Sequence, residues 1–70
     1  MSLFKPYPVL RRVIVNTKTD KSFRGVLWRK NRDFLVLKNA ELLGENGSRI
    51  PVDGEVVIER ANVDFYQVLL

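Results

Sequence analysis

"SFRGVLW", running from Ser22 to Trp28, decides how this chain folds. Its residues alternate, which places Phe23, Gly25 and Leu27 on one face of an extended strand. A glycine inside such a strand marks a bend or a close approach by another backbone. On the N-terminal side, "RRVIVNT" (Arg11–Thr17) is rich in β-branched residues, and "KTDK" (Lys18–Lys21) supplies turn chemistry. On the C-terminal side, "DFLVLKNAEL" (Asp33–Leu42) opens as a continuous apolar run, as expected of a strand buried on both faces. "GENGS" (Gly44–Ser48) is a flexible loop, and "DG" (Asp53, Gly54) is a tight-turn signal. "EVVIE" (Glu55–Glu59) and "VDFYQVLL" (Val63–Leu70) complete the strands, joined by "RAN" (Arg60–Asn62). Five short strands predict an all-β chain, a small barrel or a sandwich. Helix is confined to at most one turn around Pro8–Arg11, where a proline can open it. Residues 1–70 form a single domain with no internal repeat.

Composition narrows the chemistry. A chain of 70 residues buries only roughly 60% of its unfolded surface, so its core is marginal. Disulfides, metals and self-association are the usual remedies. There is no cysteine and no histidine, which removes disulfides, zinc-finger spacing and thiol or imidazole catalysis. Carboxylates such as Glu41 and Glu45 lack a partner motif, and no glycine loop cradles a phosphate. The expectation is a protein that is not an enzyme, without cofactor, metal or small-molecule substrate. "MSLFKPYPVLRR" has two prolines and no apolar run, so neither a signal peptide nor a membrane span is expected, and a cytoplasmic setting is.

Charge is distributed unevenly. Residues 1–38 carry ten of the twelve cations against Asp20 and Asp33, a balance of +8. Residues 39–70 carry Arg49 and Arg60 against six carboxylates, a balance of −4. If the halves occupy different faces, one is suited to an anionic partner. The basic half includes "LWRKNRDF" (Leu27–Phe34), two aromatic rings and three cations around one turn. Single-stranded nucleic acid is bound by that mixture, cations meeting phosphates and rings stacking on bases. The alternatives are a solvated turn for the cations and core or interface positions for Trp28 and Phe34. At the other end, Val63, Phe65, Tyr66, Val68, Leu69 and Leu70 make a long apolar segment whose only charge is Asp64. Such a strand on a sheet edge invites pairing with another chain.

With five strands, a bent second strand and an apolar closing strand, the chain resembles the Sm/LSm family. The first motif of that family is matched by Val13 and Val15, the turn around Asp20, then Phe23, Gly25 and Leu27, then "FLVLKNA", about residues 13–40. The second is matched by "GEVVIERANV" (Gly54–Val63), within residues 54–69. The spacing from Gly25 to Leu37 and the following "KN" are similar to Hfq, the bacterial RNA-chaperone branch, whereas the second motif is similar to the archaeal and eukaryotic branch. The resemblance implies a strongly bent, five-stranded SH3-like barrel. It also implies a closed homo-oligomeric ring of about five to seven subunits, joined by the fourth strand of one subunit and the fifth of the next.

The implied ligand is single-stranded RNA at the inner rim, with U-rich and A-rich preferences both open. Its expected contacts are Arg29, Lys30, Asn31, Arg32, Phe34, Arg60 and Asn62, with a turn role as the alternative for Asn31 and Asn62 and pairing with Glu59 or a neighbouring chain for Arg60. The expected interface is Val57, Ile58, Val63, Phe65, Tyr66 and Val68, with the core as the alternative for Phe65. The chain departs from the nuclear branch where that branch reads bases. Counted forward from Gly25, the Asp and aromatic positions of loop three fall on Asn31 and Asp33. Counted back from Leu37, the aromatic and Asn positions fall on Arg32 and Phe34. In loop five, Glu59 stands at the Arg position and Arg60 at the Gly position. The altered set implies general single-strand binding, or a ring that serves protein assembly without RNA. A monomeric SH3-like module is a third possibility.

Overall fold

The strand pattern of the sequence becomes one antiparallel sheet in the computed structural model, which describes residues 9–70. Its strands are β1 (Arg12–Thr17), β2 (Ser22–Lys30), β3 (Phe34–Leu43), β4 (Arg49–Pro51), β5 (Val56–Glu59) and β6 (Val63–Val68). They lie in the order β4-β3-β2-β1-β6, and β5 also pairs with β3. A single turn of 3-10 helix, Arg60–Asn62, joins β5 to β6. Among the described residues no helix is long and apolar enough to cross a membrane.

Alternation builds the core. Val13 and Val15 from β1, Leu27 from β2, Leu35, Leu37 and Ala40 from β3 and Ile58 from β5 are buried together. Phe23, Val56, Val63 and Tyr66 pack around them, half-buried. Thr17 is the one buried polar residue among those described, and the turn after it explains the burial. Its hydroxyl donates to the Lys21 carbonyl at 2.7 Å and accepts the Lys21 N–H at 3.2 Å. Asp20, at φ 64°, supplies the left-handed step that closes this turn.

Gly25 is where the sheet bends. A Cβ there would lie 2.9 Å from the Lys38 carbonyl oxygen and 3.1 Å from the Ala40 Cα, so only glycine lets β2 approach β3 this closely. The register shifts at the same place: Arg24 faces Glu41, but Val26 faces Lys38. The extra residue is accommodated with Asn39 at φ 51°. A second shift leaves Trp28 between the pairs Leu27–Leu37 and Arg29–Val36.

The curvature can be gauged from hydrogen bonds. Nine extended residues such as β2 would span roughly 30 Å if straight. Three residues of 3-10 helix rise about 6 Å. Yet the turns at both ends of β2 bond to the single turn Arg60–Asn62. Lys18 N–H donates to the Asn62 carbonyl at 2.8 Å, and Arg60 N–H donates to the Asp33 carbonyl at 2.8 Å. The sheet is therefore curled, though not closed, because β5 and β6 form no ladder.

Several expectations are corrected. There are six strands, not five, because the segment pairing with β3 is split in two. Leu43 to Glu41 face Arg49 to Pro51, and Leu37 to Phe34 face Val56 to Glu59. The chain thus keeps its direction through Asp53 and Gly54, and the "DG" pair serves a bulge between two collinear strands instead of a reversal. Gly54, at φ 76°, takes the left-handed conformation that this detour needs. β3 is not buried on both faces: Leu35, Leu37 and Ala40 are buried, Val36 is half-buried and Phe34 is exposed. The helical turn around Pro8–Arg11 begins outside the described residues. Within them, Leu10 is left-handed (φ 67°) and its N–H donates to the Leu27 carbonyl at 2.6 Å, so this part extends the ladder.

Gly25→Ala tests the bend. The added methyl meets backbone, which yields less readily than a side chain. Overpacking of this kind costs about 1–3 kcal/mol. Urea unfolding should show a lower midpoint by that amount, and an unchanged midpoint would show that the strands separate freely at this position.

Candidate nucleic-acid interface

The curl gathers three connections at one place. The loop Asn31–Asp33 between β2 and β3 is closed by the Asn31 N–H, which donates to the Phe34 carbonyl at 3.0 Å. Asn31 Oδ1 accepts the N–H groups of both Asp33 and Phe34 at 2.8 Å. Asparagine is a turn former for this reason: its amide oxygen satisfies backbone donors that the loop leaves unpaired. From the 3-10 turn, the Arg60 Nη1 donates to the Asn31 carbonyl at 2.7 Å. The Asn62 Nδ2 donates to Thr19 Oγ1 at 3.1 Å, reaching the turn between β1 and β2.

These bonds separate the expected contact residues by role. Arg29, Lys30 and Arg32 are exposed, and among the described residues none is engaged in an ion pair or side-chain hydrogen bond. Three unpaired cations at one hairpin end create a positive potential that suits phosphates. Phe34 opens β3 beside them and is 38% exposed, so its ring is outside the core. Asn31 spends its amide oxygen on the loop itself and keeps its Nδ2 group without a partner among the described residues. Arg60 is half-buried and holds the loop by its guanidinium, which makes it a positioning residue. Asn62 acts similarly toward Thr19. Trp28 is 41% exposed, and the Lys38 Nζ lies 3.9 Å from its ring centroid. One face of the indole is thus covered by a cation.

The expected interface residues also divide. Val57 on β5 and Phe65 on β6 are exposed at 58% and 54%, and Val68 at 39%. Val63 and Tyr66 are half-buried against the core, Tyr66 standing opposite Val15 in the ladder. Ile58 is part of the core of the single chain, 5% exposed, facing Leu35 across the β3–β5 ladder. Among the described residues, β5 and β6 each have one edge without a partner strand. Beside β5 lies an open groove of about 570 Å³, with Thr17, Lys21 and Phe23 on its other wall. Sequence reasoning missed the role of Thr19, since its link to Asn62 spans 43 positions and no local pattern announces it.

The chain matches no protein-family model, and no curated protein matches its sequence.

Asn31 offers a test of loop geometry that needs no ligand. Asn31→Ala removes the acceptor for two amides, each bond being worth about 0.5–1.5 kcal/mol. Hydrogen exchange at Asp33 and Phe34 should quicken by about threefold to tenfold. Asn31→Asp keeps an acceptor oxygen and should leave both amides protected; equal exchange in the two variants would remove the amide oxygen from the account.

Proposed function

We propose that this chain is a Sm-like protein that closes into a homo-oligomeric ring and binds single-stranded RNA through its tied loop end. In this reading it works in the cytoplasm, in RNA processing or as an RNA chaperone. The observation that carries it is the grouping of Arg29, Lys30 and Arg32, all exposed and unpaired, with the exposed ring of Phe34 at one hairpin end. Phosphates would meet the cations, a base would stack on Phe34, and the Asn31 Nδ2 group would donate to a base edge. Arg60 and Asn62 would fix the loop ahead of binding, so little ordering entropy is lost when RNA arrives.

Self-association is supported by the edges of β5 and β6, which have no partner strand among the described residues. A neighbour's β6 laid in the groove beside β5 would satisfy backbone groups on both strands and cover Val57 and Phe65. Such a contact is head-to-tail, and its repetition closes a ring if the rotation permits, at about five to seven subunits. The second reading is a ring that serves protein assembly without RNA. It is favoured by one feature: the Asn31 oxygen and the Arg60 Nη1, groups suited to reading bases, are already used inside the loop end.

Ring formation is tested by native mass spectrometry. Phe65→Asp, at an exposed position, should give folded monomers. Tyr66→Asp should lose stability as well, since it sets a charge against the core. Wild-type monomers at micromolar concentration would sink the ring.

RNA binding is tested with oligo-U and oligo-A over a range of salt. Lys30→Ala or Arg32→Ala should weaken both ligands alike and flatten the salt slope by about 0.7 log units per contact. Phe34→Leu should cost about 1–3 kcal/mol of affinity with the slope unchanged. Absence of binding by intact rings at low salt would leave the assembly reading in place.

A further inference from the structure

The bend at Gly25 has a second consequence, on the opposite side of the sheet from the core. A concavity of about 250 Å³ lies there, bounded by Arg12, Arg24, Arg49, Asn39 and Glu41 around the Gly25–Val26 backbone. Four strands or strand ends converge to make it. Arg12 pairs with Val26, Arg24 with Glu41, and Glu41 in turn with Pro51, two residues beyond Arg49. Arg12 precedes the buried Val13, and Glu41 follows the buried Ala40, so alternation sends both away from the core. The register shift at Asn39 interrupts the ladder between them and leaves the hollow.

The charge of this hollow is unbalanced. Three guanidinium groups face one carboxylate. Although Arg24 and Glu41 are cross-strand partners, the sole ion pair among the described residues is Lys38–Glu55. None of the three arginines makes a side-chain hydrogen bond among the described residues. Arg24 is half-buried. Repulsion between like charges held around one concavity is relieved by a bound anion. The planar fork of arginine matches the oxygens of a phosphate group, often in bidentate fashion. The hollow is several times the roughly 30 Å³ that one water occupies, which admits a phosphate with part of the group it is attached to.

We infer that Arg12, Arg24 and Arg49 form a phosphate-binding site, separate from the loop end and sharing no residue with it. The inference is independent of the ring and of RNA binding at Phe34. Its ligand is the phosphate group, supplied either by a free anion or nucleotide or by a nucleic-acid strand.

The test is a titration of the full chain, followed by NMR of the arginine Nε–Hε groups, with three probes: inorganic phosphate, uridine monophosphate and a short oligo-U. Arg24 and Arg49 signals should move in saturable fashion with at least one probe. Binding to phosphate and the monophosphate assigns the site to free ligands, and binding to the oligonucleotide alone assigns it to a strand. Arg24→Gln and Arg49→Gln should each weaken that binding by about tenfold, the loss of one charge-assisted hydrogen bond. Arg49 lies on an exposed edge strand, so that variant keeps the fold even if Arg24→Gln does not. Glu41→Gln should strengthen binding by removing the opposing charge. Lys18→Gln, which changes net charge equally at a distant turn, should leave it unchanged. No saturable shift with any probe overturns the inference. So does an equal loss in Lys18→Gln, or a Glu41→Gln affinity no higher than wild type.

Discussion

Two backbones meet at Gly25, and most of what is distinctive in this molecule depends on that approach. Straight strands would hold the ends of β2 far apart. With no Cβ to keep Lys38 and Ala40 at a distance, β2 and β3 bend together, and the extra residue at Asn39 lets the register follow. The curl then carries both ends of β2 to the single turn Arg60–Asn62, where four hydrogen bonds hold them. The loop end and the outer hollow both depend on that one absent side chain.

The same bend sorts the charges. In sequence the cations form one basic half, but in space they separate into two groups with different surroundings. Arg29, Lys30 and Arg32 stand exposed beside Phe34, where a flexible strand can reach them. Arg12, Arg24 and Arg49 surround a hollow, and Arg49 comes from the acidic half of the chain. Lys38 belongs to neither group, since it lies over Trp28 and 3.9 Å from Glu55. Net charge gives the sign of a partner, and only position decides how many places bind it.

A small core makes the edges matter. Among the described residues, seven buried apolar side chains from four strands leave little stability in reserve for a domain of this size. Meanwhile β5 and β6 leave Val57 and Phe65 exposed on strands that, among the described residues, have one edge unpaired. Covering those edges would add both apolar burial and backbone bonds.

The strands and the bend were legible in the sequence, because alternation and a strand glycine are local signals. β1, β2, β3, β5 and β6 fall close to the segments that pattern alone marks out. The exposure of Arg29, Lys30 and Arg32 was legible too, since charges at a hairpin end go to water, whereas Phe34 stayed open between core and surface until β3 left it 38% exposed. Other features required the tertiary structure. "DG" is a turn signal in isolation, yet β3 supplies partners on both sides of it and keeps the chain running straight. Ile58 and Phe65 are equally apolar in sequence, but ladder register turns the first toward Leu35 and leaves the second outside. Arg60 and Asn62 each make a side-chain hydrogen bond to a group 29 or 43 positions away, Asn31 and Thr19, which no local stretch announces. Periodicity of two fixes which residues share a face, and it does so by itself. Which face turns inward, where the register slips and which distant groups meet are settled only when the strands pack, because those choices depend on partners that no local stretch contains.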